Sequence, residues 1–185
     1  MKGSTHRILG ACAGVALGTS AGWTWPHVVA AGWLATVSAA GRTSPDVDQD
    51  WLWTRVDRLV PDEWLGNNGP LQHRGIAHFW GLPLAAALAA WLLVPDGWRW
   101  LPWALIAGWA SHLAGDFLFG RPGAGRGAGI PFSPWWNHRG VGLAVGGWLE
   151  RTVAVLLPFV VLLQAFFVVR SLHPGVLSAV PSLSP

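Results

Sequence analysis

The sequence predicts an all-α fold, a multi-pass bundle of about five transmembrane helices. Of its 185 residues, 52% are hydrophobic and only 11% are charged, and the mean hydropathy is +0.38. Soluble domains carry about 25% charged residues, so this balance favours a membrane protein. The apolar residues also fall into five runs, which polar or Pro- and Gly-containing segments separate. The single cysteine, Cys12, gives no basis for a disulfide framework or a thiolate metal cluster.

The first two apolar runs are short. Residues 8–24 follow Lys2 and Arg7 and fit either a first transmembrane helix or a secretory signal peptide. The helix is favoured because apolar character resumes at once, with no mature soluble domain behind it. Residues 27–40 follow Pro26, which suits the start of a helix. Both runs are shorter than the ~20 residues that cross a bilayer comfortably, so one of them could be interfacial or buried among the other helices.

The rest of the chain alternates polar segments with apolar runs, and we expect one membrane-embedded helical domain over residues 1–170. In the polar loop, residues 51–59 are predicted to form a short amphipathic helix at the membrane surface. The segments in chain order are the polar loop 41–75, the apolar runs 76–94 and 100–119, the Gly/Pro-rich loop 120–148, the apolar run 152–169 and a flexible tail 171–185.

Five alternating crossings would bring most acidic and histidine side chains to one membrane face. Of the twelve basic residues, ten fall on that same face, and only Arg99 and Arg170 fall on the other. By the positive-inside rule the face with the ten basic residues is cytoplasmic, and the N-terminus lies on the same side. The basic residues form no recognition pattern for nucleic acid, so no such partner is expected. The side chains gathered at the cytoplasmic rim are His6, Asp46, Asp48, His73, His78, His112, Asp116 and Glu150.

The fourth run contains the most informative pair, His112 and Asp116. A spacing of four residues stacks the two side chains on one face of a helix, one turn apart. A carboxylate in an apolar run is costly unless it is paired, hydrogen-bonded or bound to a metal. Taken alone, the pair fits a structural hydrogen bond between packed helices as well as it fits a pair of metal ligands.

Two further motifs lie at the same predicted face. Asp46 and Asp48 lie in the turn-prone motif Ser44-Pro-Asp-Val-Asp48, which is either a solvated acidic turn or a cation site. His73 and His78 would point about 140° apart on a continuous helix. We therefore expect His73 in a loop and His78 at a helix start, either as ligands or as an interfacial pair. Together the three motifs favour a metal site.

The residue types restrict the metal chemistry. Imidazole and carboxylate ligands without thiolates suit zinc, manganese or iron. Eight candidates exceed what one tetrahedral ion needs, so either two ions bind or some residues act as supporting groups or as a general base. Such a site could activate water as a nucleophile. Arg74 could hold an anionic substrate oxygen, or it could simply mark the cytoplasmic boundary.

Several segments resemble the bacterial YdjM-type family of membrane-bound metal-dependent hydrolases, in order and in spacing. Two positions depart from that family's pattern: Gln49 stands where the family has a His, and Ala77-His78-Phe79 stands where it has Thr-His-Ser. The segments that carry the resemblance are Thr5-His6, Pro45-Asp-Val-Asp48, His73-Arg-Gly-Ile-Ala-His78, Gly108-Trp-Ala-Ser-His-Leu-Ala-Gly-Asp116, Gly129-Ile-Pro-Phe-Ser-Pro134 and Leu149-Glu-Arg151.

The resemblance implies a fold and active site similar to those of zinc-dependent phospholipase C. It makes zinc, as one or two ions, the expected cofactor, and a membrane lipid or lipid-linked ester or phosphoester the expected substrate. We predict Asp48, His78 and Arg74 as the catalytic residues of such a hydrolase. The implied metal residues are His6, Asp46, Asp48, His73, His78, His112 and Asp116, with Glu150 as a further member. The alternative is a non-catalytic membrane protein whose cluster is a structural, cation-sensing or transport site.

Overall fold

The structure is a computed structural model that describes residues 1–41, 43–48, 59, 64, 75–119, 130–131 and 138–172. This part of the chain contains five α-helices, so the prediction of an all-α fold is confirmed. Each helix coincides with one of the five apolar runs. The predicted amphipathic helix at 51–59 falls outside the described residues, except for residue 59. The helices are α1 Gly3–Ser20, α2 Trp25–Ala39, α3 Gly81–Leu93, α4 Trp100–Leu118 and α5 Trp148–Leu172.

Short elements connect the helices at their ends. Three 3-10 helices are η1 Pro45–Asp48, η2 Ile76–His78 and η3 Asp96–Trp98. Two short strands, β1 Ile130–Pro131 and β2 His138–Arg139, pair in antiparallel fashion. The elements η1, η2 and β1 all contact one another or the C-terminal part of α4. This grouping forms the end of the bundle at which the polar residues meet.

Several helix boundaries differ from the predicted runs. Helix α3 begins at Gly81 and not at residue 76, because Ile76–His78 form η2, and α1 ends at Ser20 instead of residue 24. The starts of α1 and α5 differ for another physical reason. Helix α1 begins at Gly3 instead of residue 8, and α5 begins at Trp148 instead of residue 152. The added turns contain polar residues, including His6 and Glu150, whose side chains are buried against other helices. Apolar residues in the sequence predict only the part of a helix that packs on apolar surface. The helix extends further where its polar side chains find hydrogen-bond partners.

Helices α1, α2 and α4 form the packed centre of the bundle, and small residues set their spacing. A Cβ at Gly108 of α4 would overlap the carbonyl oxygen of Ala35 and the hydroxyl of Ser38, both on α2. Gly14 of α1 makes a similarly close approach to the backbone of Ala31. The Ser38 hydroxyl also donates to the Leu105 carbonyl over 2.7 Å, which ties α2 to α4. Backbones that approach this closely are typical of helices in membranes.

The outer helices present large apolar side chains to the surroundings. Helix α3 packs on α4, and α5 packs on α1. Within the described residues, only Trp148–Ser171 is long and apolar enough to be a clear membrane-span candidate, and just 11% of it is buried. A helix this apolar and this exposed is unlike the core helix of a soluble protein. The exposed side chains of α3 and α5 include Leu84, Leu88, Leu92, Leu93, Val155, Leu156, Phe159, Val160, Leu162, Leu163, Phe166 and Phe167.

We predict that Gly108→Ala lowers the free energy of unfolding by about 2 kcal/mol, because the added methyl group must push α4 away from the backbone of α2. The matched control is Gly97→Ala, since a Cβ at Gly97 meets nothing within 4 Å and should change stability by less than about 0.5 kcal/mol. Thermal unfolding of the detergent-solubilised protein, followed by circular dichroism, measures both. Equal midpoints for the two variants would contradict the packing described above.

Candidate metal centre

Four side chains from three elements converge at one end of the bundle. Asp46 comes from η1, His78 ends η2, and His112 and Asp116 lie one turn apart near the end of α4. One ligand atom from each residue lies within 4.8 Å of the other three. His78, His112 and Asp116 are buried, and the Asp46 side chain is 31% exposed. The cluster is therefore closed on three sides and reachable from the side of Asp46.

Five of the six distances between the ligand atoms have the lengths expected of a tetrahedral site. The two Nε2 atoms of His78 and His112 are 3.3 Å apart. The Oδ1 atom of Asp46 lies 3.4 Å and 3.6 Å from these nitrogens, and the Oδ2 atom of Asp116 lies 3.6 Å and 3.5 Å from them. A regular tetrahedron with edges of 3.3–3.6 Å has its centre about 2.0–2.2 Å from each corner, which covers the bond lengths of zinc to imidazole and carboxylate. The sixth edge, between the two carboxylate oxygens, is at most 4.8 Å long.

A backbone carbonyl sets the tautomer of His112. Its Nδ1 atom lies 2.8 Å from the carbonyl oxygen of Ala39, the last residue of α2. Because a carbonyl only accepts, Nδ1 carries the hydrogen, and in the neutral ring Nε2 presents its lone pair to the cluster. A hydrogen bond of this kind on the far nitrogen is the usual support of a metal-binding histidine.

His78 is positioned through η2. Its backbone N–H donates to the carbonyl of Gly75 over 3.1 Å. The indole N–H of Trp109, on α4, donates to the carbonyl of Ala77 over 3.1 Å. These two bonds fix the short turn against the helix that carries His112 and Asp116, and they bring the imidazole of His78 into the cluster.

A serine turn positions Asp46. The Ser44 hydroxyl donates to the carbonyl of Gly41 over 2.7 Å and accepts the backbone N–H of Asp46 at 3.3 Å. Burial raises the pKa of the Asp46 carboxyl, but the hydrogen bond with His78 and the nearby His112 imidazole outweigh burial and lower this pKa to about 2. Asp46 is thus an anion at neutral pH, as a metal ligand must be.

The second carboxylate oxygen of Asp116, Oδ1, faces away from the cluster. Oδ1 lies 3.3 Å from the Nε2 atom of His6 and 3.1 Å from the amino nitrogen of Met1. The His6 ring stacks on the ring of His112, with centroids 3.9 Å apart. The carboxylate of Asp116 therefore links α1 to the four-residue cluster, and His6 contacts the cluster through it.

The chemistry of the four groups fits a divalent cation. Two carboxylates and two imidazoles converge on one point inside an apolar bundle, where unbalanced negative charge is costly. A divalent ion would neutralise both carboxylates and accept the lone pair of His112. Hard oxygen and borderline nitrogen donors are shared by zinc, manganese and iron sites, so the donor set leaves the identity of the metal open.

The other predicted site residues have different positions. His6 and Glu150 are buried, and His6 contacts Asp116, but neither is among the four ligand residues. The backbone of Asp48 lies in η1, two residues after Asp46, and its side chain lies outside the described part of the structure, as do His73 and Arg74. Glu150 accepts hydrogen bonds from the backbone N–H groups of Lys2 and Gly146 and from the hydroxyl of Thr5.

Sequence reasoning assigned no role to three contributors to the site, although Ser44 and Thr5 lie in its motifs. Ser44 had a usable signal, because serine two residues before a carboxylate in a Pro-containing turn is typical of a side-chain-to-backbone turn. Thr5 had a weaker one, as a hydroxyl in the first turn of a helix. The carbonyl of Ala39 had none, since any residue offers the same group. Its role follows only from where α2 ends.

One family model matches a region that includes every residue of the cluster. The model of the YdjM inner membrane protein family matches residues 1–179. The chain belongs to this family. The resemblance predicted from the motifs is thereby confirmed, and membership of the YdjM family makes the chain an inner membrane protein. The searches of curated proteins and of solved structures found no significant match.

We predict that detergent-purified protein binds zinc, as a probe of the site, and that His112→Ala and Asp116→Ala each remove most of this binding, because each deletes one of four ligands. His27→Ala is the matched control: His27 lies near the start of α2 and contacts Trp100, at the opposite end of the bundle. Elemental analysis of protein dialysed against a slight excess of zinc gives the metal per chain. Unchanged zinc in both cluster variants would refute the site.

Proposed function

We propose that this YdjM-family protein is a membrane-bound, metal-dependent hydrolase. Its substrate would be an ester or phosphoester of a membrane lipid or lipid-linked compound at the cytoplasmic leaflet. The observation that carries the proposal is the four-residue cluster of Asp46, His78, His112 and Asp116, with its near-tetrahedral distances at one end of an apolar bundle. A site at that depth would meet the ester region of a lipid.

Zinc is the proposed metal, as one ion in the four-residue cluster. The support is five of the six separations between the ligand atoms, which are 3.3–3.6 Å and in a regular tetrahedron correspond to bonds of about 2.0–2.2 Å. Zinc there would supply a water of lowered pKa and polarise a phosphoryl or carbonyl oxygen. Because four protein ligands fill a tetrahedral site, this chemistry requires that the ion take a fifth ligand or release one of the four side chains, of which Asp46 is the most exposed. A second ion, as part of the same proposal, would draw on the remaining acidic and histidine residues at this rim.

The remaining roles in the reaction are proposed for side chains of the protein. His112 and Asp116 hold fixed positions on α4, and the partly exposed Asp46 marks the side from which a substrate would enter. Asp48 follows Asp46 by two residues in η1, so we propose it as the proton acceptor at this entrance. Arg74 is proposed to bind an anionic substrate oxygen bidentately.

Five membrane crossings are proposed for the five helices. The support is apolar exposure on helices too short to be clear spans: Trp33 on α2 is 64% exposed, and Leu88 on α3 is 60% exposed. Exposed tryptophans also lie at helix ends, such as Trp25 and Trp148, where they suit the membrane interface. The excess of basic residues on the side of the cluster then supports a cytoplasmic site and N-terminus.

A structural metal site is the second candidate, and one observation favours it. The side chains of His78 and His112 have no exposed surface and that of Asp116 has 3%, as in closed structural sites. A transport site is less well supported, because the ligands lie at one end of the helices and transporters bind their substrates near the bilayer midplane.

We predict that the zinc-loaded protein hydrolyses a phospholipid in vesicles that contain phosphatidic acid and phosphatidylglycerol. Asp48→Asn should lower this rate at least about 100-fold, which is the usual contribution of a general base. Asp96→Asn is the control, because Asp96 lies in η3 at the opposite end of the bundle. Mass spectrometry of the lipids follows the products. Zinc-loaded protein that leaves every lipid intact would favour the structural site, and full turnover by Asp48→Asn would remove Asp48 from the mechanism.

A further inference from the structure

The carboxylate of Glu150 is the most enclosed acidic group outside the four-residue cluster in the described part of the chain. Glu150 is 1% exposed. Its Oε1 atom accepts the backbone N–H of Lys2 over 3.0 Å and the hydroxyl of Thr5 over 2.7 Å. Its Oε2 atom accepts the backbone N–H of Gly146 over 2.7 Å. Both oxygens are thus occupied by donors from the chain itself, with no need of a metal.

These contacts make Glu150 a cap for a helix other than its own. Lys2 is the residue that precedes α1, and its side chain does not cap the helix. Instead, the carboxylate of Glu150 on α5 accepts the backbone N–H of Lys2, which has no partner within α1. Because Glu150 also lies in the first turn of α5, the positive ends of two helix dipoles meet at one carboxylate and stabilise its charge.

The cap lies next to the histidine that contacts Asp116. Thr5 and His6 are consecutive residues in the first turn of α1, and both are buried. The Nε2 atom of His6 lies 3.3 Å from Oδ1 of Asp116, whose other oxygen faces His78 and His112. A displaced first turn of α1 would therefore move the imidazole that orients a ligand carboxylate.

We propose that Glu150 is a positioning residue of the metal centre and not one of its ligands. It holds the start of α1 against α5, and so keeps His6 on Asp116. Through these hydrogen bonds the position of the long apolar helix α5 affects the position of His6 at the site. The effect on zinc rests on the proposed metal site, whereas the effect on His6 does not.

The test uses Glu150→Gln, which keeps the shape but replaces one acceptor oxygen with an NH₂ group that must face a donor. Nitrogen-15 spectra of histidine-labelled, zinc-free protein should show a shifted His6 signal, which His6→Ala identifies by its loss. Chelator competition should show zinc bound about tenfold more weakly, the lower end of what the loss of a supporting contact costs. Thr5→Val, which removes one donor only, should shift both readouts less and guards against misfolding of the first variant.

Gln164→Leu is the matched control, because Gln164 also joins α5 to α1, through a 2.8 Å hydrogen bond to Ser20 at the other end of α1. It should leave the His6 signal and the zinc affinity as in the wild type. The double variant of His6→Ala and Glu150→Gln should bind zinc no more weakly than His6→Ala alone.

Three results would overturn the proposal. One is a wild-type His6 signal in Glu150→Gln. Another is additive losses of zinc affinity in the double variant. The third is loss of a whole zinc equivalent with His6 undisturbed, which would make Glu150 a ligand. Wild-type protein that binds no zinc would instead refute the proposed hydrolase, and the His6 signal would still decide the role of Glu150.

Discussion

The burial of Asp116 is the constraint on which the rest of the structure depends. A carboxylate that is 2% exposed inside an apolar bundle loses hydration worth several kcal/mol, which other groups must offset. Its partners come from three directions: His6 from α1, His78 from η2, and His112 from the preceding turn of its own helix. The cluster therefore requires that α1, α4 and the segment before α3 meet at one end of the bundle.

Small residues make that meeting possible. Gly108 and Gly14 let α2 approach its neighbours at backbone distance, and this approach brings the end of α2 close enough for the Ala39 carbonyl to fix the ring of His112. At Gly115, a Cβ would lie 3.2 Å from the His6 ring. The lack of a side chain at this position therefore lets His6 reach Asp116. The small residues that allow close helix packing along the bundle thus also allow the cluster to form at its end.

The sequence predicted the helices and included all four cluster residues among its eight candidates, for identifiable reasons. Apolar runs located all five helices, and the spacing of four residues placed His112 and Asp116 on one face. The sequence could not predict that His6 contacts Asp116 and lies outside the four ligand residues, because this depends on α1 starting at Gly3 and on its angle to α4. Nor could it separate Glu150 from the cluster residues, since an acidic residue at a helix start suits a cap and a ligand equally.

The proposed site holds one zinc ion between two imidazoles and two carboxylates at the end of this bundle. X-ray absorption at the zinc edge of the purified, zinc-loaded protein reports this coordination. We expect four nitrogen and oxygen ligands at about 2.0–2.1 Å, with the outer-shell scattering of two imidazole rings. A shell of six oxygens without imidazole scattering, or a sulfur ligand at about 2.3 Å, would contradict it.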